Sequence, residues 1–144
     1  MDWLRLMNKI KSFFKLSSDR KSLFIQSMIL TISILLLLSL LSFPRIKIVL
    51  NTLSRRNTDQ KNSKTVEDII WSVKAASHYF PNATCLTQAI VAQIQLSKHN
   101  FSSTLNVGVN KLGEFEAHAW IEIGDKIILG ESETDYTPIW KLDK

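Results

Sequence analysis

Two residues in separate segments of the chain have side chains suited to nucleophilic chemistry. Cys85, the only cysteine, lies at the start of an apolar helical pattern, and His118 lies in an alternating segment over 115–123. Unpaired N–H groups and the dipole at a helix N-terminus favour a thiolate, and a neighbouring imidazole can exchange protons with it. The sequence therefore predicts Cys85 as a nucleophile and His118 as its general base.

Glu131 is the third candidate, and its role depends on strand register. A hairpin that turns at Gly124 and Asp125 pairs residues whose numbers sum to 249, so Glu131 is expected opposite His118. A carboxylate there could accept the second ring N–H and fix the tautomer. A one-residue bulge would move Glu131 off that face.

Other kinds of site find little support in the residue types. A lone free cysteine is more often a small buried hydrophobic residue, so an inert Cys85 is the alternative. His78 and His99 lie near predicted helix ends and are expected to be structural. One cysteine, three scattered histidines and four dispersed glycines match neither a metal site nor a phosphate loop. We therefore expect no metal and no cofactor.

Charge divides the chain into two unlike halves. Residues 1–64 contain 12 Lys and Arg and 3 Asp and Glu, a net charge of +9, whereas residues 65–144 have a net charge of −4. The basic residues flank an apolar run instead of alternating with aromatics, which argues against nucleic-acid binding. A single cysteine cannot form an internal disulfide, so nothing indicates an oxidising compartment.

The N-terminal half has two segments that could contact a membrane. Residues 23–43 are an uncharged apolar run of 21 residues, long enough to span a bilayer, although six are Gln, Ser or Thr. The alternative is a hydrophobic helix packed on the rest of the protein or on a partner. Residues 3–14 predict a basic amphipathic helix, which would lie either on the fold or on an anionic membrane surface.

Composition indicates three regions along the chain. Basic amphipathic and hydrophobic helices are predicted over 1–53, a polar linker over 54–64, and a globular domain over 65–144. The last region predicts an α+β fold with an antiparallel sheet of at least three strands. Its predicted elements are helices over 66–79 and 84–98 and strands over 104–109, 115–123 and 126–130.

Three segments together resemble a known family. "ATCLTQAIVAQIQL", "TLNVGV" and "FEAHAWIEIGDKIILGES" are similar to the B-two leader peptidases of lasso peptide biosynthesis. The similarity continues upstream through "DIIWSVKAASHYFPNATC" to the hydrophobic segment that ends in "LLSFPRIKIVLNTL". It implies a transglutaminase-like, papain-like cysteine peptidase fold, with the cysteine at a helix N-terminus packed on an antiparallel sheet that carries the histidine.

The resemblance also implies roles for individual residues. Cys85 matches the family nucleophile and His118 its general base. The family aspartate aligns with Gly130, and Glu131 follows it directly. Either Glu131 substitutes for the aspartate, or the site works as a Cys-His dyad.

Partners and location follow from the same resemblance. The substrate is expected to be a ribosomally made lasso precursor, whose freed amine is then used by a cyclase similar to asparagine synthetase. Residues 1–64 are too irregular for a fused leader-binding module, so a separate leader-recognition protein is expected. The catalytic half is expected in the cytoplasm, with attachment to the inner face of the cell membrane left open. A transglutaminase-like acyltransferase and a non-catalytic membrane-associated adaptor are the alternatives.

Overall fold

The computed structural model describes residues 3–53, 64–110 and 115–144, and five helices precede four strands within them. The predicted α+β class is confirmed, and the sheet has four strands, in agreement with the expected minimum of three. The helices are α1 (Trp3–Phe14), α2 (Ser18–Leu40), α3 (Phe43–Leu53), α4 (Val66–Ser77) and α5 (Cys85–Lys98). The strands are β1 (Thr104–Asn110), β2 (Glu116–Ile123), β3 (Lys126–Leu129) and β4 (Thr137–Asp143).

Short polar residues determine where several helices begin and end. Ser17 caps α2 and Thr65 caps α4, since each side chain accepts a backbone N–H from the first turn. Beyond α5, Asn100 adopts a positive φ of 61°, and the Phe101 N–H donates to the Leu96 carbonyl at 2.9 Å. The chain therefore reverses within a few residues and enters β1.

The sheet is antiparallel throughout, in the order β3-β2-β1-β4. β4 was not predicted from the sequence. It lies at the sheet edge, where the missing N–H of Pro138 is tolerated. Leu142 is buried and Trp140 packs against the core, while Ile139 is exposed, so the alternation of a strand is present in this segment.

α5 is the central helix of the domain. Residues 89–97 are all buried, because the sheet covers one side of α5 and α2 and α4 cover others. The core between helix and sheet includes Ile90 and Ile94 from α5 and Ala119 and Ile121 from β2. The helices therefore form a layer on one face of the sheet.

α2 packs on the domain along one side. Among the described helices it is the one long and apolar enough to cross a membrane, with a mean hydropathy of 2.4 over its most apolar window. A core helix or a signal sequence would pass the same test. Its buried side includes Ser27, which hydrogen bonds with Ser72 Oγ at 2.9 Å and accepts Gln95 Nε2–H at 3.2 Å. This docking fits the expected alternative of a hydrophobic helix packed on the protein.

Two ion pairs join the start of α2 to residues at and just before the start of α4. Arg20 Nε lies 2.7 Å from Asp68 Oδ1, and Lys64 pairs with Asp19. The linker predicted over 54–64 lies outside the described residues apart from Lys64. The predicted boundary at residue 65 stays a prediction, although helices on both sides of it share one core.

Truncation tests how much the N-terminal helices contribute to stability. A protein that starts at Thr65 loses the buried side chains Leu23, Ile34, Ile46 and Leu50. Each contributes about 1.5–3 kcal/mol, compared with a total stability of about 5–15 kcal/mol for an ordinary domain. We expect no cooperative thermal unfolding in the circular dichroism of this protein. Removal of residues 1–16 alone is the control and should preserve the transition; a cooperative transition in the longer truncation would contradict the prediction.

Candidate active site

Cys85 is the first residue of α5 and is half-buried. The side chain of Thr84, the N-cap residue, makes no hydrogen bond to the helix backbone. The N–H groups of the first turn have no intrahelical partners, so they remain available to a negative charge. The sulfur packs against the edge of the main core.

The topology brings Cys85 and His118 to the same end of the domain. α5 has 14 residues and β1 has 7, which correspond to lengths of about 21 and 23 Å. Because the chain reverses between them, Asn110 returns to the level of Cys85. β2 begins beside Asn110, and His118 pairs with Gly108 two residues from that end of β1.

His118 lies on the sheet face that points away from α5. Ala119 and Ile121 pack into the helix–sheet core, so the alternation of the strand directs His118 and Trp120 to the other face. This is the facing expected from the sequence. Trp120 is held there by a hydrogen bond from its Nε1–H to Glu122 Oε1 at 2.7 Å.

The imidazole of His118 is oriented by a backbone carbonyl. Its Nε2 lies 2.8 Å from the carbonyl oxygen of Gly130. Since a carbonyl oxygen can only accept, Nε2 carries the proton in this contact. In the neutral ring Nδ1 is then unprotonated and can act as a base.

Gly130 is suited to this contact because only glycine fits its position. Its φ is +83°, and a Cβ would lie 2.7 Å from the Ala119 carbonyl oxygen and 3.0 Å from Trp120 Cβ. The residue predicted to align with the family aspartate therefore contributes its main-chain oxygen, which takes the ring N–H.

Glu131 does not contact His118 in the structure. The predicted register holds for Ile123↔Lys126 and Glu122↔Ile127, but it shifts by one at Ile121↔Leu129, where the β2–β3 ladder ends. The register that placed Glu131 opposite His118 is therefore wrong, because of this bulge. Glu131 is exposed. Its role as the acid of the site remains a prediction.

Tyr136 completes an aromatic cluster that sequence reasoning missed. Its ring centroid lies 4.9 Å from that of His118 and 6.5 Å from that of Trp120, and the His118 and Trp120 rings stack at 6.2 Å. The cluster borders a depression of about 190 Å³ that Asp135 also lines. Tyr136 precedes β4 in an irregular segment, so no periodicity indicated it; its only signal was an aromatic residue among polar ones.

The hydroxyl of Tyr136 is held in its neutral form. Its pKa is raised above the ordinary value, first by desolvation and then by a hydrogen bond to the Glu116 carboxylate and that group's charge. Hydrogen bonds with Ser132 and Thr134 act in the opposite direction. At neutral pH the hydroxyl is protonated and can donate a hydrogen bond to the Glu116 carboxylate.

The structure brings together only part of the predicted site. His118 contacts Gly130 and Tyr136, but no hydrogen bond joins its ring to the Cys85 thiol, and Glu131 lies outside this contact group. His99, at the far end of α5, has a pKa lowered by burial and by the charges of Lys64 and Lys98. Within the described ranges, no group of three or more His, Cys, Asp or Glu could hold a metal ion.

Replacing Gly130 tests the orientation of the imidazole. In Gly130→Ala, the clash with the Ala119 carbonyl and the positive φ should cost about 1–3 kcal/mol of stability and displace the oxygen that accepts Nε2–H. Nitrogen NMR of the imidazole should show loss of the pure Nε2–H tautomer. Gly124→Ala is the control, since Gly124 also has a positive φ but open space around it. An unchanged His118 tautomer in Gly130→Ala would contradict the assignment.

The raised pKa of Tyr136 predicts that the folded protein loses stability at alkaline pH. Because the pKa of Tyr136 is raised in the folded state, its protonated hydroxyl contributes fully to folding stability below the ordinary tyrosine pKa of about 10. This contribution is lost as the pH rises through the pKa of the folded state. Urea unfolding should therefore show wild type losing stability relative to Tyr136→Phe above that pH. Glu116→Gln should shift the tyrosinate absorbance of Tyr136 to lower pH, with Tyr79→Phe as the background. Parallel pH dependences of wild type and Tyr136→Phe would disprove the coupling.

Comparison with known proteins identifies the family. The family model described as "Transglutaminase-like superfamily" matches residues 28–141, from within α2 to within β4. No curated protein and no solved structure gives a significant match. The match covers most of the chain, including Cys85, His118, the whole of β1 to β3 and most of β4. The chain therefore belongs to the transglutaminase-like superfamily.

Proposed function

We propose that this protein is a cysteine peptidase that removes the leader from a ribosomally made lasso peptide precursor. Membership of a superfamily of cysteine-protease-like enzymes supports amide chemistry at a cysteine. The observation that carries the proposal is the position of Cys85 as the first residue of the central helix, at the end of the sheet that holds His118. The lasso assignment is supported by the resemblance of the Cys helix and the His-Ala-Trp strand.

The proposed reaction proceeds through a thioester. The Cys85 thiolate attacks the carbonyl carbon of the scissile amide, and first-turn N–H groups of α5 stabilise the oxyanion. Protonated His118 gives its Nδ1 proton to the leaving amine, and the C–N bond breaks. His118 Nδ1 then takes a proton from water, whose oxygen attacks the thioester; the C–S bond breaks, the leader leaves with a new carboxyl group, and the Cys85 thiolate and protonated His118 are restored.

Catalysis requires the thiol and the imidazole to approach one another. His118 lies on the part of β2 that extends past the β3 ladder, so on that side its ring borders residues 130–136 instead of a strand. Catalytic hydrogen bonds commonly tighten only when substrate is bound. Because His118 lies on the sheet face away from α5, we expect precursor binding to rearrange the start of β2, together with the Gly130 carbonyl, until the imidazole reaches Cys85.

The proposal includes three partners. The described residues before α4 form only helices, whereas a winged-helix module needs strands, so recognition of the leader is assigned to a separate protein. The precursor is the substrate, and a cyclase similar to asparagine synthetase uses the amine that cleavage frees. The proposed site of action is the cytoplasm, where these partners are made.

Two other functions are distinguished by their products. In an acyltransferase, an added amine instead of water captures the thioester. A non-catalytic adaptor is favoured by one observation, namely that the Cys85 sulfur packs against the core edge and has no hydrogen bond to His118. Such an adaptor yields no cleavage product with any precursor.

A cleavage assay tests the proposal. The purified full chain and its leader-recognition protein are incubated with the precursor, and the products are identified by mass spectrometry. Cys85→Ala should abolish cleavage, and His118→Gln should slow it by about 10²–10⁴-fold. His78→Gln is the matched control, because His78 is also a histidine but lies at the end of α4, and it should leave the rate unchanged. Cleavage that survives in Cys85→Ala would exclude the mechanism.

Two additions to the assay assign the remaining roles. If Glu131→Gln reduces the cleavage rate as much as His118→Gln does, Glu131 is the acid of the site. If the rate is nearly unchanged, the Gly130 carbonyl alone orients the imidazole of His118. An amine adduct in place of the free carboxylate would identify an acyltransferase.

A further inference from the structure

α2 has a second apolar side that nothing in the described structure covers. Ile25, Ile29, Ile32, Leu36 and Leu40 are 45–78% exposed. At 3.6 residues per turn they fall within about 80° of the helix circumference. We call these five residues the outer stripe. It lies opposite the buried side of α2, which faces α4 and α5.

The buried side of α2 is incompatible with a simple membrane span. Ser27 bonds Ser72 and Gln95 there, and Thr31 Oγ1 donates to the Ser27 carbonyl at 2.7 Å. A span would detach α2 from these partners and from the core, or would place charged residues of α4 in hydrocarbon. A helix can instead bury only its outer stripe in a bilayer surface.

α1 presents a second exposed apolar side of the same kind. Trp3, Met7, Ile10 and Phe14 recur at helical spacing and are 37–71% exposed, while Lys11 and Lys15 lie at other angles around the helix. α1 is held to the start of α2, since Lys21 Nζ donates to the Phe14 carbonyl at 3.0 Å. Its Phe13 ring also lies 5.5 Å from that of Phe24. An apolar side with aromatic residues beside lysines is typical of helices in membrane interfaces.

The distribution of charge along the chain indicates which kind of surface α1 and α2 would contact. Residues 1–64 have a net charge of +9 and residues 65–144 have −4. Anionic lipid headgroups attract the first region and repel the second. A second copy of this chain would bring the same positive region against itself, which electrostatics disfavours.

We propose that α1 and the outer stripe of α2 lie in the surface of an anionic phospholipid bilayer without crossing it. Successive layers then place α4 and α5 behind α2 and the sheet behind α5. The face with His118 and Tyr136 is directed away from the lipid. This inference is independent of the chemistry at Cys85.

Vesicle flotation of the full chain tests the proposal. The protein should float with vesicles of phosphatidylcholine plus phosphatidylglycerol, much less with phosphatidylcholine alone, and less at high salt. Ile29→Glu with Leu36→Glu changes only exposed positions and should weaken binding by about tenfold or more. Ile139→Glu is the control, because Ile139 is an equally exposed apolar residue on β4. Circular dichroism confirms that each variant is folded.

Four results would overturn the proposal. One is equal binding to the two vesicle types, and another is undiminished binding of the double variant. The third comes from sedimentation: a dimer in wild type that the double variant abolishes would show that the outer stripe joins two copies. In cell membranes, resistance to alkaline carbonate extraction would show a spanning helix, whereas release by carbonate supports surface attachment.

Discussion

The structure depends on the burial of α5 on almost every side. A helix in this position must satisfy its polar side chains internally, since no water reaches them. Gln93 does so toward the sheet, where its Nε2 donates to the carbonyls of Ser103 and Leu142 at 3.1 and 3.3 Å. Gln95 does so only in part: its Nε2 donates to Ser27 Oγ on α2, whereas its Oε1, like Ser97 Oγ, has no hydrogen-bond partner among the described residues. Two glutamines on one buried helix therefore define how the layers on either side are placed.

The central position of α5 also limits how freely Cys85 can move. A helix fixed by the sheet and by two neighbouring helices holds its first residue with little freedom, which suits a nucleophile that must meet a defined carbonyl. His118 depends on the same helix indirectly, because Ala119 and Ile121 pack on α5 and thereby orient the strand between them. The less constrained part of the site is residues 130–136, which have few backbone hydrogen bonds to the sheet and line the depression beside His118.

Much of the architecture could be predicted because the periodicities were strong. The helical spacings located α1, α4 and α5 to within two residues, and alternation predicted which face of β2 carries His118. β4 was missed because an edge strand with a proline and exposed lysine has a weak pattern. The position of Glu131 was predicted wrongly because of a bulge of one residue. A register shift of one residue exchanges the two faces of a strand, and no local residue type indicates where such a bulge occurs.

Sequence alone was least informative about contacts that involve the main chain. The oxygen that accepts His118 Nε2–H belongs to the main chain of Gly130, so no side chain reveals it. Tyr136 reaches the imidazole from an irregular segment whose course follows from the bulge and the turn at Gly130. Such residues become apparent only when the path of the backbone is known.

The use of a main-chain oxygen at Gly130 changes how the imidazole responds to its surroundings. A carboxylate partner becomes protonated in acid and, while ionised, makes the ring more basic through its negative charge. A carbonyl carries no titratable proton and no net charge. The group that orients the ring therefore keeps the same protonation state at every pH. The accepting oxygen belongs to no side chain, but its position depends on backbone angles at Gly130 that other residues rarely adopt.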